Sequence, residues 1–373
     1  MTVAVREATP EELADWDRRT VEGAAGHVYQ SRAWAEHRAT TGWRARYLIA
    51  DDAHPALVLS RPWALVGGAG AYIPRGPVTS GALGDDGEPA ATRLVAIARW
   101  LGGHGVDVVS SDAEIPAATG YGPALRAVGF RAIPEIQPSR HRLSLPLVPG
   151  TDDDTVFAGL SKSTRQRIDG AIAANVRVAR YDLGGAWDDD ALFEAPLAPA
   201  DAALDEFYGL LESTGQRRHF RFGPRAAFVP WWAAAHARGF LVYLEARLRD
   251  AQGVDRAVAG LVLYRHGRRL TTVHSADRAE LRAELPGVMH LLRWRAIQLA
   301  IREGRDEMDL GGVDVGPDHL EPTGDDPMAG LYAHKRSFGA RWVEMTGAHE
   351  LVLRSWRYGA GRLTGRVAAM VRR

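Results

Sequence analysis

The segment from Glu307 to Arg341 holds the residues best suited to chemistry. It reads as a buried strand (Met308 to Leu310), a glycine turn at Gly311 and Gly312, a long polar loop, and then Tyr332-x-x-Lys335-x-x-Phe338-Gly339. A fixed ammonium at Lys335 could hold the oxyanion that forms when an amine attacks an ester, a contact worth roughly 3–4 kcal/mol. That role needs a protonated lysine, so a polar neighbourhood is expected there rather than deep burial. A solvated loop lysine beside an aromatic anchor is the plain alternative. Asp309 and Asp314 flank the glycine turn. Either carboxylate could take a proton from an attacking amine, though an Asp at a strand end more often hydrogen-bonds the amides of its own turn.

Phosphate chemistry has candidates of its own. Lys162, Arg165 and Arg167 fall in the first turns of a helix expected from about Ser161 to Asn175. Cations there oppose the helix dipole, and an incoming phosphate at that positive end would resolve the misfit. A salt-bridged face near the acidic stretch that follows is the equal alternative. Arg75 sits between Pro74 and Gly76, where the backbone cannot fill a central ladder, so it shapes a bulge as readily as it binds a ligand. Thirteen histidines form no H-E-x-x-H pattern, and no metal is expected. Eleven tryptophans, among them Trp231-Trp232, are not interleaved with basic residues, so they fit helix faces better than a stacking surface for nucleic acid.

The elements that must position these residues occupy 373 residues, which suits about two domains. Basic and acidic side chains cancel at 46 each, so bulk charge gives no pull toward nucleic acid. Asp182 to Phe207 nonetheless carries eight acids and no Lys or Arg, and Trp356 to Arg373 carries five Arg and no acid. The absence of cysteine excludes disulfides, thiolate metal sites and a cysteine nucleophile. The longest apolar run, Ala257 to Tyr264, is far short of the roughly 20 residues that span a bilayer. The first residues lack the basic and apolar regions of a signal peptide, so a cytoplasmic chain is expected.

Two stretches share one layout. Leu94 to Val109 reads as helix, glycine break and strand, and Leu291 to Leu310 repeats it around Gly304. Each follows two strand-like runs, ALVLSRPWAL and AYIPRGPV before the first, DRAVAGLVLYRHG and RRLTTVHSAD before the second. Apolar spacing of three and four supports the helices, and short β-branched runs support the strands. A strand-strand-helix-strand unit used twice predicts two α/β (α+β) domains of similar fold. The join is expected near the Pro149-Gly150 turn, giving 1–149 plus about 347–373 and 150–346. Asn175 suits a helix end because it tolerates left-handed dihedrals. The acidic stretch with Gly184, Gly185, Pro196 and Pro199 reads as a surface loop.

Several of these segments together carry a resemblance. The chain opens with YQSRAWAEHRATTGW, continues with AYIPRGPV and LRAVGFRAIPEIQPSRHRLSL, and later holds GLSKSTRQRIDGAIAANVRV, STGQRRHF and a D-x-G-G strand end before Lys335 and Phe338-Gly339. In this order they resemble the Fem family, enzymes that move an amino acid from aminoacyl-tRNA onto a peptidoglycan precursor. The resemblance implies two GNAT-like domains in tandem, with mixed sheets flanked by helices. Absence of sustained heptads implies that the coiled-coil arm of some relatives is missing. It implies Lys335 as the catalytic cation and Arg38 and Arg217 as contacts to precursor phosphates; Arg218 and Arg221 lie close enough to Arg217 to be confused with it. It also places His274 where the family lines the acceptor cleft, although a core or rim histidine reads as well. His334 stands where the family has Phe, so His334 marks a departure next to the key lysine.

Three classes of function follow: aminoacyl transfer from charged tRNA to a stem-peptide amine, the same chemistry on a small-molecule amine, or acyl-CoA-dependent N-acyl transfer. The last expects a glycine-rich loop before the helix near Val288, where Arg282 to Gly287 holds one glycine and a proline. A pyrophosphate cradle needs consecutive free amides, which proline interrupts. No cofactor is therefore expected, with aminoacyl-tRNA as co-substrate and a nucleotide- or lipid-linked precursor as acceptor. A monomer is expected. The segment GRLTGRVAAMVRR places Leu363, Val367, Met370 and Val371 on one helical face and Arg362, Arg366, Arg372 and Arg373 mainly on the other, the pattern of a helix lying on an anionic membrane. A docked terminal helix with a solvated face is the alternative.

Overall fold

The computed structural model describes residues 3–77, 87–137, 140–183, 192–218, 223–249, 252–281, 283–313, 315 and 319–371, without the side chains of 218 and 365–371. Asp314, Gly184, Gly185, Arg221, Arg282, Arg372 and Arg373, all singled out above, lie outside the described residues, as do the side chains of Arg218, Arg366, Val367, Met370 and Val371. Two compact units emerge, Met1–His141 with Val343–Arg373, and Arg142–Trp342.

The first unit runs β1 (Val5–Glu7), α1 (Pro10–Ala14), α2 (Arg32–Ala39), β2 (Arg44–Ala50), β3 (His54–Pro62), β4 (Ala69–Ile73), α3 (Gly87–Gly103), β5 (Val106–Ser111), α4 (Tyr121–Ala127) and β6 (Arg131–Ala132). The second follows with β7 (His141–Pro146), α5 (Asp153–Gly159), α6 (Lys162–Ala173), β8 (Arg177–Tyr181), α7 (Ala200–Arg218), α8 (Arg225–Ala237), β9 (Leu241–Arg249), β10 (Asp255–His266), β11 (Arg269–Asp277), α9 (Val288–Arg302), β12 (Glu307–Asp309), α10 (Ala329–Arg336) and β13 (Arg341–Glu344). The chain then returns to the first sheet with β14 (His349–Val352) and α11 (Ser355–Val371).

Strand order is β1-β2-β3-β4-β5-β14-β6 in one sheet and β13-β7-β12-β11-β10-β9-β8 in the other. In the first, β1 to β4 pair antiparallel and β4 pairs parallel with β5 across α3. The second repeats this, with β8 to β11 antiparallel and β11 parallel to β12 across α9. A parallel neighbour needs a crossover, and the helix between supplies it. The repeated strand-strand-helix-strand pattern is thus β3-β4-α3-β5 and β10-β11-α9-β12. The fold class is α/β, with two mixed sheets flanked by helices.

The central strands of the second unit are buried along most of their length, because both faces are covered. On one face, Leu244, Leu261 and Leu263 share a core with Leu291, Ile297 and Leu299 of α9. The other face meets α7 and α8, where Phe207 lies 5.2 Å from the ring of Tyr243 and Trp231 Nε1 donates to Tyr264 at 2.6 Å. Trp231 and Trp232 are both buried, as helix-face residues should be. Helix α6 starts where Ser161 accepts from the Thr164 amide, and Asn175 follows its end at φ 57°.

The acidic stretch is an exposed loop at 195–199, as expected, and departs from that expectation at its two ends. Asp182 is buried and takes both Arg265 Nη atoms, at 2.7 and 3.1 Å, and Ala203, Leu204 and Phe207 sit in the core on α7. Two buried acceptor oxygens need charged donors, and β10 supplies them from across the sheet.

Candidate active site

The second unit brings its chemistry together where β11 and β12 part. Their ladder ends at Thr271 opposite Asp309. Beyond it, Leu310 and Gly311 exchange hydrogen bonds with Leu143, while β11 carries a bulge opposite Val262 and Leu263. Bulges of this kind redirect a strand next to a site. Asp309 accepts the Gly311 amide at 2.7 Å. It is therefore the cap of its own turn. Gly311 has φ 73°, and a Cβ there would fall 2.7 Å from the Thr272 carbonyl oxygen and 3.4 Å from Lys335 Nζ. Glycine is required on both counts.

Lys335 lies on α10, not in a loop, and only 5% of it is exposed. This corrects the expectation of a polar, solvated neighbourhood. Its Nζ donates to the Gly312 carbonyl at 2.6 Å. An ammonium has three donors, and the other two have no hydrogen-bond partner among the described residues. Burial, joined by repulsion from Arg293, pulls its pKa down to about 7, against which the Asp309 carboxylate pulls up. Lys335 thus changes charge near neutrality.

Around it stands a cluster that the sequence pattern foreshadowed only in part. His334 Nδ1 is 3.1 Å from His290 Nε2, and Arg167 Nη1 approaches the same nitrogen at 3.4 Å. A guanidinium can only donate, so His290 Nε2 accepts and His334 carries its proton on Nδ1. Both rings are held neutral: burial first, with Arg293 next, takes His334 to about 2, and burial with Arg167 takes His290 to about 4. Arg293 is 2% exposed, and burial, opposed by Asp277, brings it to about 10. Neither His290 nor Arg293 was singled out above. The signal was present, since both are polar at i and i+3 in an otherwise apolar stretch of α9, on a face with Ile297.

The three basic residues of α6 part ways. Arg165 donates to the Ala158 and Leu160 carbonyls at 2.6 and 3.1 Å, closing the end of α5. Lys162 is exposed, and Arg167 alone joins the histidines. Thr164 Oγ1 bonds Ser337 at 2.8 Å, so the start of α6 holds the end of the helix that carries Lys335.

Arg217 reaches Asp277 and Thr214, each at 3.4 Å, so Asp277 faces both Arg217 and Arg293. His274 stands against the Phe228 and Trp232 rings at 5.5 and 5.4 Å, and burial takes its pKa to about 4. It is a neutral histidine on an aromatic wall. Gly287 caps the start of α9 where α6 crosses, and a Cβ there would fall 1.9 Å from the Arg167 carbonyl oxygen. Helix packing accounts for that glycine.

Arg38 and Arg75 belong to the first unit. The Arg38 guanidinium lies 5.4 and 5.2 Å from the Trp34 and Trp43 rings, and burial lowers its pKa. Arg75 follows β4 at φ 51°, with its amide on Asp112 at 2.8 Å and its Nε 3.8 and 3.7 Å from Asp112 and Glu114. Tyr72 donates to the same Asp112 at 2.9 Å. These bonds tie the P-R-G-P turn to the end of β5, the architectural alternative for Arg75. Among the described residues no group of three or more metal-ligating side chains could hold an ion, and no helix is long and apolar enough to cross a membrane.

Residues 163–336 match the family model described as acetyltransferase (GNAT) domain. Among solved structures, FemX is similar over 96% of this chain and 99% of that chain, at TM-score 0.73 and 18% identity. The C-terminal domain of a putative lysylphosphatidylglycerol synthetase from Agrobacterium fabrum is similar at TM-score 0.52 and 11% identity, covering 96% of each chain. L-PGS from Bacillus licheniformis gives 0.51 at 10% identity, covering 97% of this chain and 98% of that one. No curated protein matches the chain by sequence. The fold is two GNAT-like domains in tandem, similar over the whole chain to that of FemX. The match to the acetyltransferase (GNAT) domain falls within the second of them.

Proposed function

We propose that this chain transfers an aminoacyl group from aminoacyl-tRNA to the stem-peptide amine of a peptidoglycan precursor. The observation that carries the reading is Lys335, held by one hydrogen bond to Gly312 with two donors left over at the parting of β11 and β12. The acceptor amine attacks the ester carbon, the carbonyl oxygen becomes an oxyanion, and the unused Nζ donors hold it. The carbon–oxygen bond to the ribose then breaks, and the proton shed by the amine ends on the departing hydroxyl. Asp309 already accepts the Gly311 amide, so no protein base is assigned. Arg38 and Arg217 are the proposed phosphate contacts of their respective units, a task suited to a planar fork of donors. His274 is the proposed lining residue for the acceptor, and Arg167 the proposed contact for tRNA phosphate.

The test is a panel of charged tRNAs offered with nucleotide-linked and lipid-linked precursors, with products read by mass. Transfer with at least one pair supports the reading. Acyl-CoA-dependent transfer is the second reading, favoured by the description of the matching domain. Calorimetry with acetyl-CoA should show no binding at micromolar concentration, because Gly287 serves the crossing of α6 and α9. Micromolar binding with turnover on an amine, and no product from any charged tRNA, would reverse the order of the two.

His334 should set preference more than rate. Replacing it by Phe removes the polar contact to His290 but keeps the edge contact with Phe338, 5.5 Å away between ring centres. His334→Phe should shift the ratio of kcat/KM between donor amino acids by about fivefold or more, roughly the worth of one buried hydrogen bond, with the fastest rate kept within tenfold. Unchanged ratios across the panel would remove His334 from substrate choice.

A further inference from the structure

We propose that α11 is a surface for docking on a lipid bilayer with anionic headgroups. Trp356 and Leu363 are 68% and 65% exposed, large apolar side chains presented to solvent by one helix. Seven residues apart, they lie within about 20° of each other around the helix axis. The opposite side, about 140° and 160° away, is where α11 is anchored. There Gly361 is so close to Trp63 that a Cβ would fall 2.4 Å from the indole, and Tyr358 donates to both Glu350 oxygens at 3.0 Å. Trp63 in turn donates to buried Asp107 at 2.9 Å, and Arg354 reaches the same carboxylate at 3.4 Å. One face is therefore built into the first unit and the other is offered outward.

Charge identifies the occupant. From Ser355 to Arg373 the sequence has five arginines and no acid. Arg362 is exposed on one flank of the stripe, where it also lies over the Tyr358 ring at 5.5 Å. Half-buried Arg357 lies over the Trp356 ring at 5.2 Å on the other, with its Nη1 3.9 Å from Asp107. An exposed tryptophan and leucine between arginines match the depth profile of a membrane interface, with rings and methyls at the acyl boundary and guanidiniums among headgroup phosphates. A second copy of the chain would set these arginines against one another.

The experiment is sedimentation of the full chain with phosphatidylcholine vesicles, with and without phosphatidylglycerol, in the absence of substrates. The protein should partition to the anionic vesicles alone. Trp356→Ser with Leu363→Ser should lower the partition coefficient at least about tenfold, and Arg362→Gln about fivefold at low salt, an effect that high salt removes. Melting temperature reports folding, which these exposed side chains should leave unchanged. Retained binding by the double serine variant, equal binding to neutral vesicles, or self-association lost in that variant without any vesicle binding would each overturn the proposal.

Discussion

Lys335→Ala should lower single-turnover transfer from charged tRNA by about 100-fold or more, the worth of one oxyanion contact. Binding of the precursor and thermal stability should change little, because the contact is made chiefly in the transition state. The pH dependence separates this role from general-base catalysis. Burial puts the Lys335 pKa at about 7, so the cation is present below that pH and is lost as pH rises through it. The enzyme's contribution to kcat/KM should therefore fall above about pH 7, tenfold per unit, once ionisation of the acceptor amine is divided out. A base would show the opposite limb. Lys335→Arg should rescue only partly, since a planar guanidinium misplaces the charge, but its falling limb should vanish because arginine stays charged. A Lys335→Ala enzyme within threefold of the parent would remove the residue from the mechanism and leave the resemblance as a statement about fold.

The second large effect is on stability. Gly287→Val should destabilise the second unit by about 2–3 kcal/mol, the usual cost of forcing extra carbons into a closed contact. The Arg167 carbonyl oxygen would lie 1.9 Å from even the first added carbon, and the Ala171 methyl at 3.2 Å leaves no room to move aside. Both belong to α6, whose Thr164 holds Ser337 beside Lys335, so catalysis should fall with stability. Thermal melting measures it. An unchanged melting temperature would show that the helix crossing yields and that Gly287 is free for another purpose.

Much of the frame was legible in the residue order. Periods of two and of three to four are local properties, and they placed β10, β11, α9 and β12 within a few residues of where they form. Asn175 was identifiable as a helix end for the same reason, since its tolerance of φ 57° is its own. Lys335 was legible as a candidate through its spacing from Phe338 and Gly339. Its protonation was not. A pKa depends on which distant groups bury an amine and which repel its charge, and here the amine lies against the Gly311–Gly312 turn while Arg293 of α9 repels it. Spacing within α10 carries no information about either.

The same division runs through the arginines. Lys162, Arg165 and Arg167 look alike along the chain, yet Arg165 closes α5, Arg167 meets His290 from an exposed position, and Lys162 is exposed without either contact. Arg75 was marked by its place between Pro74 and Gly76, and the carboxylate that accepts its amide, Asp112, lies 37 residues away on another segment. The sequence by itself determined the element types, the twofold use of one strand-helix plan and the turn glycines, because these follow from backbone dihedrals and from the period of apolar side chains. Only the tertiary structure decided which cations are buried, which are already paired and which face of α11 stays open. Those outcomes depend on desolvation by residues far apart in the chain, which no local pattern encodes.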